Sequence, residues 1–217
     1  LIFILALRYR WRGVRYMFDH HDVCPELLIA KFGKRGVVYW LMRLLERLNF
    51  AVASVSMATN ESFRRIAITR GGKSESDVFV VRSAPKIDCF IPAEGDRAYR
   101  GKAATVFGYV GVIGQQEGMT TLVSAASHLV HAHKQTDVHF VIIGFGPALD
   151  MMIQQVGDLD LAEYFTFTGA LYQTDLIAAL NAIDIGLACD PKNPMNDMST
   201  MNKVMEYMAL GKPVVQF

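Results

Sequence analysis

Three side chains near the end of the sequence, Ser199, Lys203 and Glu206, are separated by four and then three residues. On a helix, at about 100° per residue, they fall in one row. The opposite face carries Met201, Val204, Met205 and Met208. Ser199 is a good helix N-cap, and the free N–H groups of a first turn favour an anion. Lys203 adds a cation one turn in, and Glu206 offers two acceptor oxygens to a pair of vicinal hydroxyls. A diphosphate joined to a ribose would satisfy all three. The same spacing also fits an ordinary amphipathic helix with a Lys203–Glu206 surface pair worth about a few tenths of a kcal/mol.

The densest titratable cluster is "DHHD", residues 19–22. Alternation along a strand sets Asp19 and His21 on one side, His20 and Asp22 on the other. A His–Asp pair can serve as a base, an acceptor clamp or half a metal site. A polar strand end with satisfied histidines accounts for the pattern as well. In "GVIGQQEG" (111–118), Gly111 and Gly114 allow close approach of a ligand. No GK[ST] follows, so this is not a P-loop. "GFG" (144–146) starts a dinucleotide fingerprint whose third Gly would fall at Leu149, which argues against NAD. His128 and His131 share a helix face near His133, without an accompanying carboxylate, and metal binding there is disfavoured.

These residues need elements to hold them. "VRYMFDHHD" (14–22) predicts a strand running into a polar end, and 35–50 predicts a helix with Val38, Leu41, Leu44, Leu45 and Leu48 on one side. Residues 51–58 predict a strand. Asn60 predicts an N-cap for a helix running to Arg70 and ended by Gly71 and Gly72. A further strand is predicted over 77–85. Beyond a polar, Gly- and Pro-containing stretch the pattern becomes regular. Strands at 104–111, 139–144, 164–169 and 184–189 alternate with helices at 119–133, 148–156 and 174–181, and a last helix opening at Ser199 precedes strand "PVVQF". Alternation of this kind means βαβ units and a parallel sheet, which binds ligands where the strands' carboxyl ends meet their loops. The domains read as 1–92, a linker at 93–102, and 103–217.

Of 217 residues, 52% are hydrophobic and 20% charged, a globular composition. Twenty-two basic and 21 acidic residues nearly cancel, which gives no electrostatic case for nucleic acid. The basic residues crowd the first quarter, from Arg8, Arg10, Arg12 and Arg15 to Arg43 and Arg47. Such a face could meet anionic lipid head groups or be simply solvated. The three cysteines are far apart and form no CxxC pair, which fits a reducing, cytoplasmic setting. "LIFILAL" is too short to span a bilayer. A first residue other than Met and an ending at the start of a strand suggest a piece of a longer protein, cut at both ends.

Together the motifs resemble the retaining glycosyltransferases of family 4, of the type encoded with bacterial surface polysaccharides. "STMNKVMEYMALGKPVVQF" is similar to that family's nucleotide-sugar helix and following strand, and "GYVGVIGQQEG" to its first phosphate loop. "VIIGFGP", "FTFTGAL" and "DIGLACDP" resemble its successive strand ends, and "HHDVCPE" the segment that presents a His from the amino-terminal domain.

The resemblance implies a GT-B fold of two Rossmann-like domains, the first only partly present and the second lacking its last elements. It implies transfer of a sugar, with retention, from a UDP- or GDP-type donor to a glycan or lipid-linked acceptor, in polysaccharide biosynthesis. Glu206 would bind the ribose. Lys203, Asn202 and the Ser199 turn would hold diphosphate and sugar, and Gly111, Gly114 and Gly146 would admit them. Leu171 would line the base pocket. His21 and Asp22 would face sugar or acceptor in the cleft between domains. No metal or other cofactor would be needed, because leaving-group stabilisation would be electrostatic. Two departures stand out. Met198, beside Asp197, occupies the first position of the family's Glu-x7-Glu, and Val112 and Glu117 stand where an Arg and a Lys commonly bind phosphate. The 217 residues alone are expected to be inactive. A GT-B nucleotide-sugar epimerase, a degenerate nucleotide-binding module, and a metal-dependent hydrolase built on "DHHD" remain as alternatives.

Overall fold

The structure, a computed structural model, describes residues 2–216. They form two compact units. One runs to Ser83 and takes in Lys192–Thr200; the other comprises Ala84–Pro191 and the chain from Met201 onward.

In the first unit, α1 (Ile2–Arg10) precedes β1 (Met17–His20), α2 (Cys24–Phe32), α3 (Val37–Val52), β2 (Val55–Ala58), α4 (Glu61–Thr69) and β3 (Val78–Val80). The strands pair in parallel in the order β1-β2-β3. Asn60 caps α4 as predicted, accepting from the Phe63 amide at 2.9 Å. Its side-chain amide donates to the Met198 carbonyl (2.8 Å) and the Thr200 hydroxyl (3.2 Å), which fixes the segment 192–200 on this unit. The core gathers Val23, Phe50, Ala58, Phe63, Ala67 and Val78.

The structure differs from the sequence pattern in two ways here. Ala51 and Val52 extend α3 rather than opening β2. And α3 buries Tyr39, Glu46 and Phe50, while Val38, Leu41 and Leu44 stay exposed. Electrostatics explains the rotation. Glu46 accepts from Arg70 at 2.6 Å and lies 3.1 Å from the buried His20 ring, and Arg70 also holds Glu26 at 2.5 Å. A carboxylate drawn inward by an arginine overrides the apolar periodicity. Helix α2, with Pro25 in its first turn and Gly33 at its C-cap, goes unpredicted.

The second unit follows the predicted alternation: β4 (Thr105–Val110), α5 (Met119–Ser127), β5 (Val138–Ile143), α6 (Leu149–Asp158), β6 (Phe165–Gly169), α7 (Gln173–Ala182), β7 (Ile185–Ala188), α8 (Asn202–Ala209) and β8 (Val214–Gln216). Phe217, at the end of the last predicted strand, lies outside the described residues. All strands are parallel, in the order β6-β5-β4-β7-β8. One core lies under α5 and α6, with Leu122, Phe140 and Met152; the other, with Val106, Val141 and Leu180, includes Tyr207 of α8 and Leu210 just after it. Beyond α5 the chain continues as a π-turn (His128–Ala132), where the His131 ring lies 2.8 Å from the Leu159 carbonyl. Among the described residues no cluster of three His, Cys, Asp or Glu is placed to hold a metal.

The stretch around residues 91–93 packs with this unit. Asn181 donates to the Ile91 carbonyl at 3.2 Å and accepts from the Ala93 amide at 2.9 Å. The chain therefore divides at 83/84 by contact, whereas the sequence reading set its linker at 93–102. Among the described residues no helix is long and apolar enough to cross a membrane.

Candidate functional site

In a sheet ordered β6-β5-β4-β7-β8, the connections leave β4 in opposite directions. The carboxyl ends of β4 and β7 therefore mark the topological switch point, where such sheets bind ligands. The two strands pair at Phe107 with Ile185 and Gly108 with Gly186, then separate. Tyr207 of α8 enters the opening from below. The Val110 amide donates to its hydroxyl at 3.1 Å, and that hydroxyl lies 3.2 Å from the Gly108 carbonyl and 3.3 Å from that of Leu187. A side chain at Gly186 would collide with the Tyr207 ring. The tyrosine thus forms a rigid floor.

One helical turn before this floor stands Lys203, its side chain 10% exposed. Its ammonium contacts both Asp190 oxygens, at 3.0 and 3.2 Å, and lies 3.7 Å from Glu117. It also sits 3.4 Å from the Tyr109 hydroxyl and 4.6 Å from that ring's centre, an added cation–π contact. Glu117 comes from the loop after β4. That loop is drawn to the end of β7 at Gly118, whose φ of 72° suits glycine and where a Cβ would run into the Cys189 carbonyl. Burial and the neighbouring Asp190 push the Glu117 carboxyl up to about 7, with Lys203 opposing them. Burial likewise raises the Cys189 thiol to about 11 and holds the Tyr109 hydroxyl far above its usual range.

Glu206 is half-buried, and burial raises its carboxyl. Among the described residues no side chain or backbone amide donates to it, so its oxygens are available to hydroxyls. The Lys203–Glu206 surface pair of the alternative reading does not form, because Lys203 turns inward to Asp190. Ser199 is not the N-cap of α8. The helix begins at Asn202, and the Ser199 hydroxyl donates instead to the Met195 carbonyl at 2.8 Å, closing a short turn grouped with the first unit. Asn60, by holding Met198 and Thr200, keeps the backbone extended where a helix was expected. Met208, on the apolar face opposite that row, is exposed, whereas Tyr207 of α8 and Leu210 just beyond it are buried.

Of the other predicted residues, Gly111 lies close to Lys203: a Cβ there would sit 3.7 Å from the lysine's Cε. Gly114 is buried against the Gln116 side chain. Gly146 packs its bare Cα against the Ile113 carbonyl, so its lack of a side chain serves contact between two loops. Those loops are joined by the Ile113 amide donating to Phe145 at 3.0 Å. Leu171, partly buried beyond β6, packs on the Val141–Leu180 core. Asn202 is exposed. His21 and Asp22 belong to the first unit, exposed just beyond β1, with His21 4.0 Å from Asp19. It is His20 that is buried, while Asp22, expected on the same side, lies beyond the end of β1 and is exposed.

Asp190, Tyr109 and Tyr207 were not singled out from sequence. A carboxylate directly after a core strand was a visible signal for Asp190. Tyr207, four residues past Lys203 on a helix, was a signal for the floor.

Residues 104–217, just over half the chain, match the family described as "Glycosyl transferases group 1". Over 131 residues the chain is 28% identical to the 2-deoxystreptamine glucosyltransferase of Streptomyces kanamyceticus, an alignment covering 58% of this chain and 32% of that protein. Among solved structures, Anabaena HepE in complex with UDP and glucose superposes with a TM-score of 0.72 at 19% identity, over 98% of this chain and 55% of its own. The sucrose-phosphate synthase of Thermosynechococcus elongatus gives 0.72 at 15% identity, over 99% and 54%. The chain spans about half the length of these solved relatives and about a third of the curated one.

Proposed function

The chain belongs to the glycosyl transferases group 1 family and has the GT-B fold of two parallel α/β units, and on that premise we propose that it holds the nucleoside diphosphate of a sugar donor at the carboxyl ends of β4 and β7. The carrying observation is Glu206, a half-buried carboxylate with no donor among the described residues, on the same helix as a cation at the switch point. In this reading Glu206 accepts two hydrogen bonds from the ribose. Lys203 and the bare backbone at Gly111 receive the diphosphate, with Gly114, Gly146 and Asn202 contributing around phosphate and sugar. Leu171 lines the base. As the glycosidic bond breaks, charge grows on the leaving diphosphate, and a preplaced cation stabilises it without a metal. The sugar passes with retention to a glycan or lipid-linked acceptor, with His21 and Asp22 on the acceptor side, in polysaccharide biosynthesis.

A cytoplasmic protein serving a lipid-linked acceptor would work at the membrane's inner face. The exposed Leu5, Trp11 and Trp40 of the first unit, among Arg8, Arg10 and Arg12, suit that position. HepE was solved with UDP and glucose, so UDP is the first nucleotide to test. A second reading, a nucleotide-binding module without transfer, draws on Glu117, an acid beside the cation meant for phosphate.

Calorimetric titration with UDP and GDP, alongside Glu206→Ala, tests the site. Binding of either nucleotide should weaken by about 1–3 kcal/mol in the variant, the scale of a lost hydrogen bond to a charged group. Failure of the folded wild-type protein to bind either would overturn the reading. Sugar transfer from the nucleotide sugar that binds would then exclude the non-catalytic alternative.

A further inference from the structure

Lys203 faces two carboxylates. Asp190 grips it with both oxygens, at 3.0 and 3.2 Å, from a side chain 3% exposed. Glu117 reaches it with one oxygen at 3.7 Å, from a side chain 19% exposed on a loop. With both acids ionised the cluster carries a net charge of −1, which repels a diphosphate. The other titratable groups around it are Tyr109 on β4 and Cys189 at the end of β7, with Tyr207 and Glu206 behind them on α8. Burial keeps the two tyrosines and the cysteine protonated near neutrality. Among the described residues no second cation lies within ion-pair distance of Glu117. An anion arriving at Lys203 can displace one acid. The longer, single-oxygen contact of Glu117 yields before the two-oxygen grip of Asp190.

Resting on the donor-site reading above, we propose that Glu117 is a proton-gated competitor for Lys203: the diphosphate binds as Glu117 takes up a proton from solution and releases the lysine. With Glu117 protonated the cluster is neutral, and Lys203 is shared between Asp190 and a phosphate oxygen. The upward shift of the Glu117 carboxyl to about 7 places this exchange within the physiological range. Glu117 is thus a specificity-determining residue of the site, setting at what pH a diphosphate can enter.

UDP titrations from pH 6 to pH 9, each in two buffers of different ionisation enthalpy, on wild type and Glu117→Gln, test this. Because one linked proton changes apparent affinity up to tenfold per pH unit above the group's pKa, wild-type affinity should fall up to about tenfold per unit above about pH 7. Close to one proton should be taken up per UDP bound at pH 8. Glu117→Gln should bind UDP more tightly at pH 8, with a flat profile from pH 7 to 9 and no proton uptake. Wild-type binding without proton uptake, or a variant profile parallel to wild type, would overturn the gate and leave the donor site standing. No UDP binding by either protein at any pH would overturn both. The wild-type proton count decides the matter even if the variant folds poorly.

Discussion

Each unit contains a cation held between two carboxylates. In the first, Arg70 joins Glu26 and Glu46 beside His20. In the second, Lys203 joins Asp190 and Glu117 beside Tyr109. The inventories are alike and the settings opposite. The arginine's fork makes short bonds to both acids, at 2.5 and 2.6 Å, and ties two helices and the end of β1 together in the interior of the unit. The lysine is a point charge at the mouth of the sheet, with one firm partner and one distant one. A planar donor bonded to an acid at each of its terminal nitrogens makes a clamp, whereas an ammonium with an uneven pair leaves one contact that a ligand can replace. The titrations differ accordingly. His20 and Arg70, acting against burial, hold Glu46 below the usual carboxylate range, while burial and Asp190 raise Glu117 above it.

The largest test of this contrast is Arg70→Met. Removing the shared cation leaves Glu26 and Glu46 buried without it, and unfolding in urea should show a loss of about 3–5 kcal/mol. A change under 1 kcal/mol would erase the distinction. Next is Glu46→Gln, expected to lower stability by about 1–3 kcal/mol at pH 7. A depressed carboxylate pKa stabilises the fold above its unfolded value, 4.5, and that contribution disappears as pH falls through the folded value. The deficit of Glu46→Gln should therefore shrink in acid. A deficit independent of pH would mean lost packing rather than lost charge.

Glu117→Gln should do the reverse. A raised carboxylate pKa means the folded state binds the proton more tightly, so this group's contribution becomes more favourable as pH falls from above 7 toward 4.5. Stability of the variant should match or exceed wild type at pH 8, by up to about 1 kcal/mol on the scale of a partly exposed pair. The advantage should vanish near pH 5. Destabilisation at pH 8 would make Glu117 a structural acid like Glu46. The smallest expected change in stability is that of Glu206→Ala, within about 0.5 kcal/mol for a residue without partners.

The second unit was legible because most of its strands are short, largely apolar runs between turn residues, and a parallel sheet imposes that pattern. The Asn60 cap was legible because capping is local. What escaped the sequence depends on distant partners. Ser199 has the right chemistry for an N-cap, but Asn60, 139 positions earlier in the chain, holds its neighbours out of the helix. Val38, Leu41 and Leu44 have helical spacing, but Arg70 turns Glu46 inward and leaves them exposed. In the site, Lys203 and Glu206 could be found by spacing along one helix. Asp190 could be recognised as the lysine's partner only once β7 and α8 were placed side by side.

The most direct test of the donor site is a crystal structure with UDP bound. The diphosphate should lie within hydrogen-bonding distance of the Lys203 ammonium, with both ribose hydroxyls on Glu206 and Glu117 withdrawn from the lysine. UDP bound elsewhere, with Lys203 still held between Asp190 and Glu117, would contradict the assignment.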